Sequence, residues 1–285
     1  MSLRSYDAAA ASRCVAAALA EDLGTRGDVT TAAVVAPGRR GRATLVAREA
    51  LVVAGLPVAA EVFRQLDPTV AFTPLAGEGE FVASDTIVAV ADGPARALLQ
   101  GERTALNFLQ RMSGIATATR AAVAEVAGTA AVILDTRKTA PGLRALDKYA
   151  VRTGGGASHR HGLYDAAMIK DTHLGAVDSL GAAIRACLAA GLTPEAITAE
   201  VRSLEELDEA IAAGAGRALL DNMGLTSLAA CVARGKGRIV LEASGGLRPG
   251  TLRAVAETGV DCLSLGYLTH SVRAADLAMD LVPHP

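Results

Sequence analysis

Over its second half the chain alternates short apolar runs with helical segments, and this alternation limits the fold more than any other feature. Apolar runs end at Asp135, Lys170, Glu200, Asp221, Glu242 and Leu265. Between the later ones lie SLGAAIRACLAAG, SLEELDEAIAAG, SLAACVARG and TLRAVAETG. Each closes on glycine, as helix C-termini often do. Apolar strands separated by amphipathic helices are βα units, and such units build parallel sheet. No GxGxxG opens the series, so a barrel is favoured over a dinucleotide-binding sheet. Too few strands are visible for a complete eightfold closure, and the expectation is an irregular, incomplete α/β barrel.

The first third has a different texture. DAAAASRCVAAALAED, at 7–22, reads as an alanine-rich helix, and GDVTT, at 27–31, as a turn into extended chain. From 41 to 98 strand-like runs dominate: RATLVARE, ALVVAGL, VAFTPL, EFVAS, TIVAVAD and ARALL. One helical pattern, PVAAEVFRQLD, interrupts them, which suggests a small α+β domain. GERTALNFLQRMSGIATATRAAVAEVAG then reads as helix, a break at Ser113–Gly114, and helix again.

Barrels of this kind carry their active sites at the C-terminal ends of the strands. There the chain delivers Arg137 and Lys138, Lys170, Glu200, Asp221, and Glu242 with ASGG behind it. Any one charge could simply mark where a strand meets solvent, but the whole series on one rim points to a shared site. Glu200 and Asp221 would stand side by side, suited to Mg²⁺ or to sugar hydroxyls. Arg137, Lys138, His159, Arg160 and Lys170 form a cationic wall, with arginines fit for bidentate grip of carboxylate or phosphate. His159 belongs either to this wall or to a turn. Ser244, Gly245, Gly246 and Gly266 follow the last two strands, where barrels often bind phosphate through backbone N–H groups. The ligand so described is a phosphorylated sugar with a further anionic group, beside a polyanionic co-substrate.

The 285 residues carry a net charge of −2, which argues against a broad nucleic-acid footprint but not against a local anion site. Cys14, Cys187, Cys231 and Cys262 form no CxxC pair and read as thiols of a reducing compartment. No apolar run approaches a membrane span, and Asp7, Arg13 and Glu21 break the N-terminal alanines, so the expected setting is cytoplasmic.

In ALAEDLGTRGDVTT, ERTALNFLQRMSGIAT, DTRKTAPGLRALDKYAVRTGGG, SHRHGLYDAAMIKDTH, LLDNM, EASGG and LSLGYLTHS the chain resembles the quinolinate phosphoribosyltransferases nearly end to end. Ser158 and Thr172 stand where many relatives have Asn, and Tyr267 where a small residue is common. The resemblance implies an N-terminal α/β sandwich, 1–110, to which 267–285 return, and an incomplete barrel of TIM type over 111–266. It implies a homodimer in which Arg103 reaches the neighbour's site, with no nucleic acid and no membrane involved. The implied reaction joins quinolinate to 5-phosphoribosyl-1-pyrophosphate, giving nicotinate mononucleotide, pyrophosphate and CO₂ in NAD biosynthesis. Arg103, Arg137, His159, Arg160 and Lys170 would then clamp quinolinate, and Lys138 would face the pyrophosphate or the reacting ring. Glu200 and Asp221 would hold Mg²⁺, and Ser244, Gly245, Gly246, Gly266 and His270 the 5-phosphate. Two alternatives stand beside this: a Schiff-base barrel enzyme using Lys138 or Lys170, and a non-catalytic anion-binding relative such as the similar protein associated with molybdate transport.

Overall fold

A computed structural model describes residues 6–283, and the statements below concern those residues. The chain divides into two compact units. One holds the residues up to Arg120, Thr139–Gly155 and those from Thr269 onward; the other holds Ala121–Lys138 and Gly156–Leu268.

The first unit begins with helices α1 (Ala8–Leu23) and α2 (Val29–Val34), capped by the side chains of Asp7 and Asp28. Strands β1 (Arg40–Ala47) and β2 (Leu51–Val52), helix α3 (Leu56–Leu66), and strands β3 (Ala71–Pro74), β4 (Phe81–Val82) and β5 (Ile87–Pro94) follow. Helix α4 (Ala95–Glu125) comes next; its last turns belong to the second unit. A four-stranded antiparallel sheet has the order β12-β1-β5-β3, where β12 is Leu277–Pro283, so the C-terminal segment pairs with the first long strand. Buried Val58, Val62 and Phe63 on α3 and Leu45, Val88 and Ala89 on the strands supply its core.

Three local expectations fail here, each for a physical reason. GDVTT enters α2 rather than extended chain, because the Asp28 carboxylate accepts the Thr31 N–H at 2.9 Å and starts a helical turn. ARALL opens α4, which follows β5 with no turn residue between them. The break at Ser113–Gly114 is absent. Ser113 Oγ instead bonds the backbone of Ala54, and a Cβ on Gly114 would collide with the Arg273 carbonyl. The small residues serve close packing within a continuous helix. The boundary expected near residue 110 accordingly falls inside α4.

Helix α5 (Arg144–Thr153) also groups with the first unit rather than with the barrel. Its Asp147, fully buried, receives a bidentate pair from Arg111 of α4 at 2.7 and 2.8 Å, and Tyr149 donates to Glu78 at 2.8 Å.

The second unit is built on β6 (Val132–Leu134), β7 (Ala167–Ile169), β8 (Ile197–Val201), β9 (Arg217–Asp221), β10 (Val240–Ser244) and β11 (Cys262–Ser264). All pairs are parallel, in the order β6-β11-β10-β9-β8-β7. Hydrogen bonds do not close the ring: beyond β6 there is an isolated bridge from its Leu134 to Ala157, and β7 is the other edge. This is the incomplete barrel the strand count implied. Helices α6 (Asp171–Leu174), α7 (Leu180–Ala189), α8 (Leu204–Ala213), α9 (Leu225–Gly235) and α10 (Leu252–Glu257) follow their strands, with α11 (Tyr267–His270) after β11.

The register decides which side chains share a face. Glu242 is paired with Leu219 and Cys262, Glu200 with Leu219, and Ser244 with Asp221. Because strand side chains alternate, Glu200, Arg217, Asp221, Glu242, Ser244 and Ser264 point to one side. The opposite side presents Ala199, Val201, Ala218, Leu220, Leu241, Ala243 and Leu263, all buried. One face is wholly apolar and suited to helices; the other collects the polar groups.

Candidate active site

Two turns position the cationic residues. After β6, Asp135 is buried and accepts the His159 N–H at 2.8 Å, tying the loop after Ala157 to the strand. Lys138 N–H bonds Thr136 Oγ1 at 3.0 Å, folding the segment that carries Arg137. In the second turn the Asp165 carboxylate accepts N–H groups of His161 and Gly162, at 2.7 and 3.1 Å. Arg160 donates to the Ala166 carbonyl at 2.9 Å. Burial, with the Arg137 charge acting in the same direction, lowers the pKa of the Arg160 guanidinium. An arginine whose charge is disfavoured in this way is prepared for an anion.

His159, counted with the cationic wall in the sequence, approaches Glu242. Its Nδ1 accepts the Arg160 N–H at 2.7 Å, which puts the ring proton of the neutral tautomer on Nε2. Nε2 lies 3.3 Å from Glu242 Oε2. The imidazole thus lies on the polar inner face, beside Glu242.

Glu242 is displaced from its expected place on the rim. It sits in the middle of β10, fully buried, 3.0 Å from Arg217 at the start of β9. Burial alone would raise its pKa; the His159 ring, Ser264 and Arg217 outweigh burial and bring it to about 2. A charge near a strand end is read as a rim residue only when register is ignored.

Lys170, Glu200 and Asp221 do come together. Lys170 Nζ lies 3.1 Å from Glu200 Oε2. Arg202, missed in the sequence, lies 2.8 Å from Asp171, 3.7 Å from Glu200 and 3.4 Å from Asp221. Asn222, also missed, donates from Nδ2 to Asp221 at 3.1 Å. It has φ +54°, and its N–H bonds the Ser244 carbonyl at 2.9 Å. The Asp-Asn pair after a strand was the available signal, since Asn tolerates the left-handed region. No group of three or more His, Cys, Asp or Glu among the described residues is placed to hold a metal ion by itself.

After β10, Gly245 and Gly246 have φ +89° and +64°. A Cβ on Gly245 would collide with Asn222 Oδ1, so glycine is required twice over. Gly266 lies between β11 and α11. Tyr267 is half buried, and burial, with Glu125 adding to it, pushes its hydroxyl up to about 12. His270 Nδ1 lies 2.6 Å from Ser271 Oγ. Arg103 is on α4, more than half exposed, 3.9 Å from Glu102.

What can this face do? Within the barrel unit it offers cations at one place, carboxylates at the next strand ends, and a backbone turn fit for phosphate. Similarity to known proteins identifies the family. Residues 28–113 match the model of the quinolinate phosphoribosyl transferase N-terminal domain, and residues 115–280 that of the C-terminal domain. The chain is 45% identical to the nicotinate-nucleotide pyrophosphorylase [carboxylating] of Mycobacterium leprae, over 93% of this chain and 94% of that one. It is 44% identical to a probable enzyme of the same name from Synechocystis, over 93% and 90%. The structure of the nicotinate-nucleotide pyrophosphorylase from Francisella tularensis superimposes with a TM-score of 0.91 at 35% identity, covering 99% of each chain. On strand order, on the charges its inner face gathers and on these matches, the chain belongs to the quinolinate phosphoribosyltransferase family.

Proposed function

We propose that this chain transfers the phosphoribosyl group of 5-phosphoribosyl-1-pyrophosphate to quinolinate, releasing pyrophosphate and CO₂ and forming nicotinate mononucleotide. The observation that best supports the reading is the pairing of two guanidinium groups, with the Arg137 charge acting on the partly buried Arg160, in the same unit as Lys170 and the Gly245–Gly246 turn. Quinolinate is a dianion, and closely set guanidinium groups are relieved by its two carboxylates.

In the first step the ring nitrogen attacks the anomeric carbon and pyrophosphate leaves with the bonding pair. Positive charge grows on the sugar, and Glu200 and Asp221 stabilise it from the next strand ends. Ser244, Gly245, Gly246, Gly266 and His270 hold the 5-phosphate, and Lys138 meets the departing pyrophosphate. In the second step the C2–carboxylate bond breaks, CO₂ leaves, the electron pair stays on C2 where the adjacent pyridinium nitrogen stabilises it, and C2 then takes up a proton. No covalent nucleophile is needed; the residues orient the reactants and strip water from the carboxylate that leaves.

Magnesium fits as an ion that arrives with substrate. Two carboxylates supply oxygen donors, but they are too few to form a protein cage, and Mg²⁺ commonly completes its shell with phosphate oxygens and water. Glu200 and Asp221 would hold it, and it would neutralise charge on the pyrophosphate. We further propose a cytoplasmic homodimer in which Arg103 serves the neighbour's clamp. No helix among the described residues is long and apolar enough to cross a membrane. Incubation with quinolinate, phosphoribosyl pyrophosphate and Mg²⁺ tests the reading: nicotinate mononucleotide must accumulate with one pyrophosphate and one CO₂, and its absence refutes the assignment.

A further inference from the structure

Glu200 has two cationic neighbours, and only one belongs to the clamp proposed above. Lys170 contacts one carboxylate oxygen at 3.1 Å, and Arg202 approaches the other at 3.7 Å. The Glu200 side chain is 7% exposed, whereas Arg202 is half exposed and is held in addition by Asp171 and Asp221. A carboxylate so enclosed is costly to leave without its counter-ion. Before Mg²⁺ arrives with its substrate, Lys170 can therefore turn to a substrate carboxylate only if another cation stays with Glu200. Arg202 meets that condition, because Asp171 after β7 and Asp221 at the end of β9 anchor it beside Glu200.

We propose that Arg202 is a positioning residue that keeps Glu200 charge-balanced while the Lys170 ammonium moves to the substrate carboxylate. The proposal rests on the reading of Lys170 as part of a dicarboxylate clamp. It assigns Arg202 an effect on acceptor affinity although the guanidinium itself touches the carboxylates of the sugar-pyrophosphate side.

Phthalate is a suitable probe, since it has two adjacent carboxylates and no ring nitrogen to react. It is titrated by calorimetry, in metal-free buffer, into the wild-type protein, Arg202→Gln, Arg202→Lys and the double variant Glu200→Gln/Arg202→Gln. Arg202→Gln should weaken phthalate binding about ten-fold, and Arg202→Lys should stay within about three-fold of wild type. The double variant should recover most of the lost affinity, because no carboxylate is then stranded. A purely structural role for Arg202 would not produce that recovery. Equal binding by Arg202→Gln and wild type overturns the proposal, as does a loss that the double variant fails to restore. A wild-type protein that does not bind phthalate overturns the clamp reading itself, and the role of Arg202 falls with it.

Discussion

Replacing Glu242 by Gln should make the barrel unit less stable at neutral pH, and the deficit should shrink as the solution is acidified. The carboxyl is fully buried between His159 and Arg217 and is lowered from its ordinary 4.5 to about 2. At roughly 1.4 kcal/mol per pH unit, this corresponds to about 3 kcal/mol favouring the charged form. Because the folded value lies below the unfolded one, the stabilisation is present in full above pH 4.5 and is lost as pH falls toward 2. Glutamine has none of it at any pH. The gap between wild type and Glu242→Gln should be about 3 kcal/mol at pH 7 and roughly half that at pH 3. The chain has no tryptophan, so urea unfolding is followed by circular dichroism at pH 7, 5, 4 and 3. A gap that stays constant across this range, or one under about 1 kcal/mol at pH 7, would refute the argument that charge on Glu242 holds the cluster together.

Nicotinate, which lacks the second carboxylate, should turn over at least about a hundred-fold less efficiently than quinolinate, as kcat/KM in a product assay, because clamp cations would be left unpaired. Gly245→Ala, which brings both a left-handed backbone and a clash with Asn222, should weaken ribose 5-phosphate binding at least about ten-fold in calorimetry while phthalate binding is retained. Mixing inactive Arg103→Ala and Lys138→Ala proteins should restore roughly a quarter of the sites once subunit exchange is shown with tagged chains. Exchange without recovered activity would place Arg103 outside the neighbour's site.

The parallel sheet, its openness and the gathering of Lys170, Glu200 and Asp221 were all legible, because each depends on periodicity and on where a strand stops. Glu242 was misplaced because sequence spacing does not reveal register, and register puts it one layer inside the mouth opposite Leu219 and Cys262. Arg202 lies two residues past Glu200 at the end of a strand, where a side chain's direction depends on the turn that follows. His159 was singled out by its neighbour Arg160, and that neighbour's own N–H orients the imidazole through Nδ1. GDVTT, at 27–31, was read as a turn into extended chain because so short a helix as Val29–Val34 leaves almost no periodic pattern.

Strand β6 comes first in the barrel sequence but last in the sheet, at one edge, while β7 stands at the other. Arg137, Arg160 and Lys170 therefore line the seam where no ladder joins the sheet to itself. Glu200, Asp221 and Ser244 occupy strands hydrogen-bonded on both sides. A substitution at the seam disturbs side chains and loops alone; one among the laced strands also disturbs register. If, as proposed, the seam holds the acceptor and the laced strands the sugar phosphate, the acceptor side can diverge toward new ring acids while the other stays fixed, and a library aimed at new acceptors should be confined to the seam.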